Sequence, residues 1–360
     1  MNKNSLIRKI SFGAATGIGF VLIVGLMIGC KSDGVNTNTT SSTGPIFSQV
    51  SAASSGIDFV NEIIESPERS MGNYENFFSG AGVAVGDINN DGLADIFFTS
   101  NDASNRLYLN KGGMQFEDIT AAAGLSSNKW SGGCSMVDVN NDGYLDIYVN
   151  NDGPTNDEEL LSNDLFINNG NLSFSNKARE LGVADSGRSV QSVFFDADND
   201  GDLDLFINNY AFINDNETLS DWYDRIETMN PVKSRKMHLR FYKNNGGKFV
   251  DQSKEVGVDR VAFGLGLAAR DFNDDGFLDV YVANDFFLPD YFFINDGKGK
   301  FTEQSKALLG HTAYFAMGMD AADVNNDLLL DMAVVDMSPS DHFRNKLLMA
   351  SMDVKKFQFL

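Results

Sequence analysis

The chain has 360 residues, 42% hydrophobic and 22% charged. Its 50 acidic residues against 28 basic ones give a net charge of −22, which argues against a nucleic-acid partner because phosphates would be repelled. Two cysteines and three histidines offer no disulfide framework, and His238, His311 and His342 fall in no metal or catalytic-triad motif.

At the N-terminus, Lys3, Arg8 and Lys9 precede an uncharged stretch from Ile10 to Cys30, most densely apolar from Phe20 to Ile28. That is the layout of a secretory signal. It ends in Leu26-Met-Ile-Gly-Cys30, which resembles a bacterial lipobox, where the cysteine is lipidated and becomes the mature N-terminus. Met27 is atypical for that motif, and an uncleaved membrane anchor is the alternative. The expectation is a signal with lipobox over 1–30, lipidated at Cys30, then a flexible tether over 31–45 rich in Asn, Thr and Ser. Both readings export the remainder. The lipobox reading anchors it through lipid to the bacterial outer membrane, at the cell surface.

Residues 46–360 are organised by a repeat. The motif Asp-x-Asn/Asp-x-Asp-x-x-x-Asp occurs five times. Loop one has Asp87, Asn89, Asp91 and Asp95, and loop two Asp138, Asn140, Asp142 and Asp146. Loop three has Asp196, Asp198, Asp200 and Asp204, and loop four Asp271, Asn273, Asp275 and Asp279. Loop five has Asp323, Asn325, Asp327 and Asp331. Oxygen side chains at alternate positions of a tight loop converge as a hard cation with six to eight oxygen ligands requires, so up to five Ca²⁺ are expected. Position seven (Leu93, Tyr144, Asp202, Phe277, Leu329) adds a backbone carbonyl. These are not EF-hands: position 12 is apolar (Phe98, Val149, Ile207, Val282, Val334), and the fourth acid falls at position nine. The loops hold 18 of the 50 acids, so the negative charge is clustered rather than spread.

Short β-branched and aromatic runs leave each loop, among them Asp-Ile-Phe-Phe-Thr and Asp-Val-Tyr-Val-Ala. A second element recurs: Arg106-Leu-Tyr-Leu-Asn110, Asp164-Leu-Phe-Ile-Asn168, Arg240-Phe-Tyr-Lys-Asn244 and Tyr291-Phe-Phe-Ile-Asn295. Each is followed by a Gly-containing turn and a phenylalanine (Phe116, Phe174, Phe249, Phe301), which reads as a hairpin. Four strands per unit and periods of 51, 58, 75 and 52 residues between loops predict an all-β fold, a β-propeller of four-stranded blades.

Each phenylalanine lies 22 residues before the next loop, so the variable length falls after the strand leaving the loop. Antiparallel alternation puts these insertions at the sheet end opposite the loops. The longest, Asn209 to His238, gathers Trp222, Tyr223, Arg225, Lys233, Arg235 and Lys236, a basic-aromatic cluster suited to a ligand face. On that reading, deletion of Ser220 to Lys236 should abolish ligand capture and spare the fold. Packing of Trp222 against its own blade is the alternative. Cys134, which aligns with Val83, Ser192, Leu267 and Met319 ahead of their loops, reads as a small core residue.

The pattern Gly-x-x-x-x-Asp-x-Asn-x-Asp-Gly-x-x-Asp resembles the FG-GAP/VCBS repeats of integrin-alpha-like β-propellers, from about Phe47 to the C-terminus. Phe47 to Gly56, Gly80-Ala-Gly-Val-Ala-Val-Gly-Asp87 and Asn105-Arg-Leu-Tyr-Leu-Asn110 resemble the narrower ASPIC/UnbV (cartilage acidic protein-like) group of bacterial surface lipoproteins. The resemblance implies a seven-bladed propeller, calcium in the loops and binding on the opposite face. Two positions depart from the pattern. Leu328 replaces the loop glycine in loop five, and Gln191 replaces the strand glycine found at Gly82, Gly133, Gly266 and Gly318. About four to five blades are present, so the chain is expected to be the N-terminal piece of a longer propeller.

The expected function is a calcium-binding, lipid-anchored, non-enzymatic module that binds an extracellular protein or glycan, with no catalytic residues. A polysaccharide-processing enzyme or its accessory subunit, and a structural part of an outer-membrane assembly, are the alternatives.

Overall fold

The computed structural model describes residues 47–212, 219–229, 234–285, 288–337 and 341. The signal, tether and Cys30 expectations lie outside these residues, as do Lys233 and His342. The blades all belong to the unit Val50–Leu360.

The first sheet runs β1 (Val83–Gly86), β2 (Asp95–Phe98), β3 (Arg106–Asn110) and β4 (Phe116–Asp118), each strand antiparallel to its sequence neighbour. The second repeats this with β5 (Trp130–Val137), β6 (Asp146–Asp152), β7 (Asp164–Asn168) and β8 (Phe174–Asn176). The third comprises β9 (Ser189–Phe195), β10 (Asp204–Asn209), β11 (Arg240–Asn244) and β12 (Phe249–Asp251). The fourth comprises β13 (Gly264–Arg270), β14 (Asp279–Asn284), β15 (Tyr291–Asn295) and β16 (Phe301–Glu303). In the fifth, β17 (Ala316–Ala322) pairs with β18 (Asp331–Asp336). These are β-propeller blades, as the repeat predicts. Every Asp-rich loop joins the first two strands of its blade.

The core lies between blades. β6 and β14 are buried along their whole length, with apolar centres (Ile147–Val149 and Val280–Ala283) between polar ends. Ile147 and Val149 of the second blade pack with Phe97 and Leu107 of the first. Phe206 of the third meets Phe293 of the fourth with ring centroids 6.3 Å apart. Burying each such side chain contributes about 1.5–3 kcal/mol, which accounts for a chain so rich in phenylalanine.

Close approach of the first strands explains their glycines. A Cβ on Gly133 would lie 2.7 Å from the Val190 carbonyl oxygen of the next blade, and one on Gly82 2.8 Å from that of Gly132. Gln191 sits where this contact passes from the second blade to the third. It therefore concerns strand packing, as its position predicts.

A short feature escapes the sequence pattern. Single-turn helices follow the fourth strands: α2 (Thr120–Ala123), α4 (Ala178–Leu181), α6 (Ser253–Val256) and α7 (Ser305–Leu308), numbered with α1 (Ala52–Ser55), α3 (Glu158–Leu161) and α5 (Leu219–Thr228). Gly124, Gly182 and Gly257 close the first three of these in the left-handed region. The glycine eight residues after Phe116, Phe174 and Phe249 is thus a helix cap, while Leu309 takes that place after Phe301.

Candidate metal loops

Each loop is a carboxylate cage built from backbone amides. In loop one the Asp91 and Gly92 N–H groups donate to the two Asp87 oxygens at 3.1 and 2.7 Å, and Leu93 N–H donates to Asp91 at 2.8 Å. Loop two repeats the set with Asp142, Gly143 and Tyr144 at 3.1, 2.8 and 2.9 Å. Loops three, four and five do the same on Asp196, Asp271 and Asp323. Desolvation pushes Asp87 up, but the Gly92 and Asp91 amides outweigh it and hold its carboxyl below the usual range. Leu328 and Asp327 do the same for Asp323. The acids at positions one and five are therefore fixed within one turn by backbone amides, in an arrangement suited to a cation.

The loop residues are chosen by backbone conformation as well as by charge. Position four is left-handed in every copy (Asn90, Asn141, Asn199, Asp274, Asn326; φ 57–61°), which Asn and Asp tolerate best. Position six is left-handed too, at φ 85–93° for the four glycines. Leu328 adopts the same turn at φ 68°, and its N–H still reaches Asp323 at 2.8 Å. Loop five keeps its shape and carries the strain.

Position nine does more than the pattern suggests. Asp95, Asp146, Asp204 and Asp279 are fully buried. One oxygen of each accepts the position-two N–H, as Ile88 to Asp95 at 3.0 Å and Val139 to Asp146 at 3.1 Å. The other accepts the N–H of the asparagine ending the third strand: Asn110, Asn168, Asn244 or Asn295, at 2.7–2.8 Å. Burial pushes Asp146, Asp204 and Asp279 up to about 6. These four acids, expected as plain metal ligands, also tie each loop to its hairpin.

Loops one, two and four fit a Ca²⁺ site with one adjustment. Asn89, Asn140 and Asn273 donate Nδ2 to the position-five aspartates at 2.9–3.0 Å. An ion requires those amides to turn over and present Oδ1. Position-seven side chains pack outward, Tyr144 over Gly170 and Phe277 over Gly297. Asp202 instead accepts the Gly246 N–H at 3.0 Å.

Loop three does not fit. Oxygens of Asp196, Asp198 and Asp200 converge within 4.8 Å. Lys243 Nζ, however, lies among these acids, 2.7 Å from Asp198, 2.8 Å from Asp200 and 3.3 Å from Asp204. Burial pushes Lys243 down, but hydrogen bonds to Asp198 and Asp200 prevail and hold the ammonium above the ordinary lysine range. Loop three has the most acids of the five, and an ammonium already stands among them. The signal was present in the sequence: β11 carries Lys243 where Leu109, Ile167 and Ile294 stand in the other blades.

At the opposite end the expected ligand cluster is mostly engaged. Trp222, on α5, is 1% exposed, stacks 5.5 Å from Phe263 and donates Nε1–H to the Phe212 carbonyl at 3.0 Å. It is a core residue, which corrects its placement on the ligand face. Arg225 donates to the same carbonyl and lies 5.2 Å over the Phe212 ring. Arg235 pairs with Asp251, and Lys236 with Glu158 at 2.6 Å. Tyr223 is on α5, and its side chain is outside the described set. A recess of about 330 Å³ beside α5 is lined by Leu161, Arg188, Phe212, Met229, Lys236 and Met237. Elsewhere, Cys134 is half-buried and packs against the apolar cluster between the first two blades, where burial raises its thiol to about 12.

The FG-GAP-like repeat family matches residues 77–149 and 271–334, segments that include loops one, two, four and five. The chain carries FG-GAP-like repeats and folds as β-propeller blades. It is similar to cartilage acidic protein 1 of Xenopus tropicalis, 30% identical over 215 residues, and to that of Homo sapiens, 27% identical over 216 residues. The match takes in 58% of this chain but only 29% and 28% of those relatives, so the chain spans less than a third of their length. A solved structure of an Agrocybe aegerita lectin that recognises non-reducing terminal N-acetylglucosamine aligns at 17% identity with a TM-score of 0.38, over 69% of this chain and 59% of that one.

Proposed function

We propose that this chain is a calcium-stapled, non-enzymatic binding module. Its loop edge is structural, and its opposite edge meets an extracellular protein or glycan. One observation carries the calcium half: the same amide-held pair of carboxylates, at positions one and five, recurs in every loop. Ca²⁺ near ~1 mM against a Kd of ~0.1 mM contributes about 1.4 kcal/mol per site, so four sites sum to roughly 6 kcal/mol. That is comparable to the whole stability of a typical domain. Chelation should therefore lower the melting temperature of the full-length protein by well over ten degrees; an unchanged curve would sink the reading.

The binding half is supported by the recess beside α5, lined by Leu161, Phe212 and Met237 together with Glu158, Arg188 and Lys236. A glycan array with the full-length protein, repeated with Lys236→Glu, tests it. Equal signals from both proteins would move the ligand elsewhere. Export and lipidation at Cys30 belong to the same proposal. Metabolic labelling with a fatty-acid analogue should mark the wild type and not Cys30→Ser.

A further inference from the structure

Loop three differs from its sisters at two coupled positions. Its third position is Asp198 where the others hold Asn89, Asn140, Asn273 and Asn325. The β11 residue beside it is Lys243, where β3, β7 and β15 hold Leu109, Ile167 and Ile294. A neutral amide next to an aliphatic side chain has become a carboxylate next to an ammonium. The change preserves the net charge of the blade and reverses the chemistry at the centre of the loop.

The geometry matches. The three ammonium hydrogens of Lys243 have three carboxylate acceptors, on Asp198, Asp200 and Asp204. These are positions three, five and nine, acids that a cation in this loop would engage. The Lys243 side chain is only 13% exposed, so it enters from inside the blade rather than from solvent. We propose that the Lys243 ammonium is the resident cation of loop three, and that this loop takes no Ca²⁺ while its sisters do. The inference rests on the calcium reading of the sister loops.

Two physical consequences follow. A Ca²⁺ ion must lie 2.3–2.6 Å from its oxygens. An ion sharing Asp198 and Asp200 with Lys243 would face a like charge across the same two carboxylates. Lys243 is also tethered, so its local concentration does not fall when free calcium does. Blade three carries α5, and its loop therefore stays closed at calcium concentrations that empty the others.

The test counts ions bound to the full chain by equilibrium dialysis against Ca²⁺ alone, followed by metal analysis. Lys243→Ile, which restores the sister residue, should bind one ion more than the wild type. Asp196→Ala in the wild-type background should leave the count unchanged. If Lys243→Ile does not fold without metal, the double variant Asp198→Asn/Lys243→Ile has the sister residues at both coupled positions and carries the same prediction. A wild-type count of five, or a loss of one ion on Asp196→Ala, overturns the proposal and leaves the calcium reading standing. No gain of an ion in a folded Lys243→Ile or double variant also overturns it. A wild type that binds none, beside a variant that binds one, upholds the role of Lys243 and sinks the calcium reading of the sister loops.

Discussion

Asn168 Nδ2 lies 2.9 Å from the carbonyl oxygen of Ile88, in the loop of the preceding blade, and 3.1 Å from that of Leu145 in its own. Asn168 Oδ1 accepts the Gly170 N–H at 3.0 Å, and its backbone N–H donates to Asp146 at 2.8 Å. Asn295 repeats the arrangement, reaching the Ala197 carbonyl at 2.8 Å. In the second and fourth blades, the asparagine ending the third strand is where a loop, its hairpin and the preceding blade are joined.

Asn168→Ala should therefore cost about 2–3 kcal/mol, because it strands buried carbonyl groups that have no water to replace the lost donor. The exposed Asn169, next in sequence, bonds only to Ser173 and Ser175 side chains and to the Ser173 carbonyl through its backbone N–H. Asn169→Ala should stay within about 0.5 kcal/mol. Urea denaturation of the two variants separates them; equal midpoints would refute the joint role of Asn168.

The buried position-nine acids set an unusual pH dependence. Asp146, Asp204 and Asp279 are raised to about 6 by burial, above an unfolded value of about 3.9. Between these values the folded state binds more protons than the unfolded one, so stability falls as pH rises through the window. The metal-free protein should melt higher at pH 5 than at pH 7, measured in high salt so that general repulsion is screened. Acids held low, such as Asp87 and Asp259, act in the opposite sense and only below pH 4. A melting temperature that rises from pH 5 to pH 7 would contradict the assignment.

Leu328 is a candidate for repair. It is 89% exposed and sits at φ 68° in a turn that its sisters make with glycine. Releasing left-handed strain contributes about 1–3 kcal/mol, offset by roughly 0.5–1 kcal/mol for the greater freedom of glycine in the unfolded chain. Leu328→Gly should raise stability by about 1 kcal/mol, and Ca²⁺ affinity at loop five should not fall. Calorimetric melting of the variant checks the sign.

The α5 insertion should behave as packing. Trp222→Ala removes a side chain 1% exposed and should cost about 3–5 kcal/mol. Lys236→Ala breaks only a partly exposed pair with Glu158 and should cost under about 1 kcal/mol. Deleting Ser220 to Lys236 should lower the melting temperature instead of leaving the fold intact. A melting curve unchanged by Trp222→Ala would return that residue to the ligand face.

The repeat itself was legible because its causes are local. Alternate aspartates, left-handed Asn and Gly positions and β-branched runs each act within a dozen residues, so the blades and their loops could be read in order. The tertiary structure decided what the loop acids touch. Asp204 and Lys243 are 39 residues apart in sequence, and nothing local shows that the ammonium lies 3.3 Å from the carboxylate. Trp222 carried the same ambiguity: an aromatic among basic residues suits a ligand face and a core equally, until Phe263 of the next blade lies 5.5 Å away. Short-range patterning determines the strand and the turn. Burial and charge pairing depend on which blades stand side by side, and that is set by packing between segments far apart in the chain.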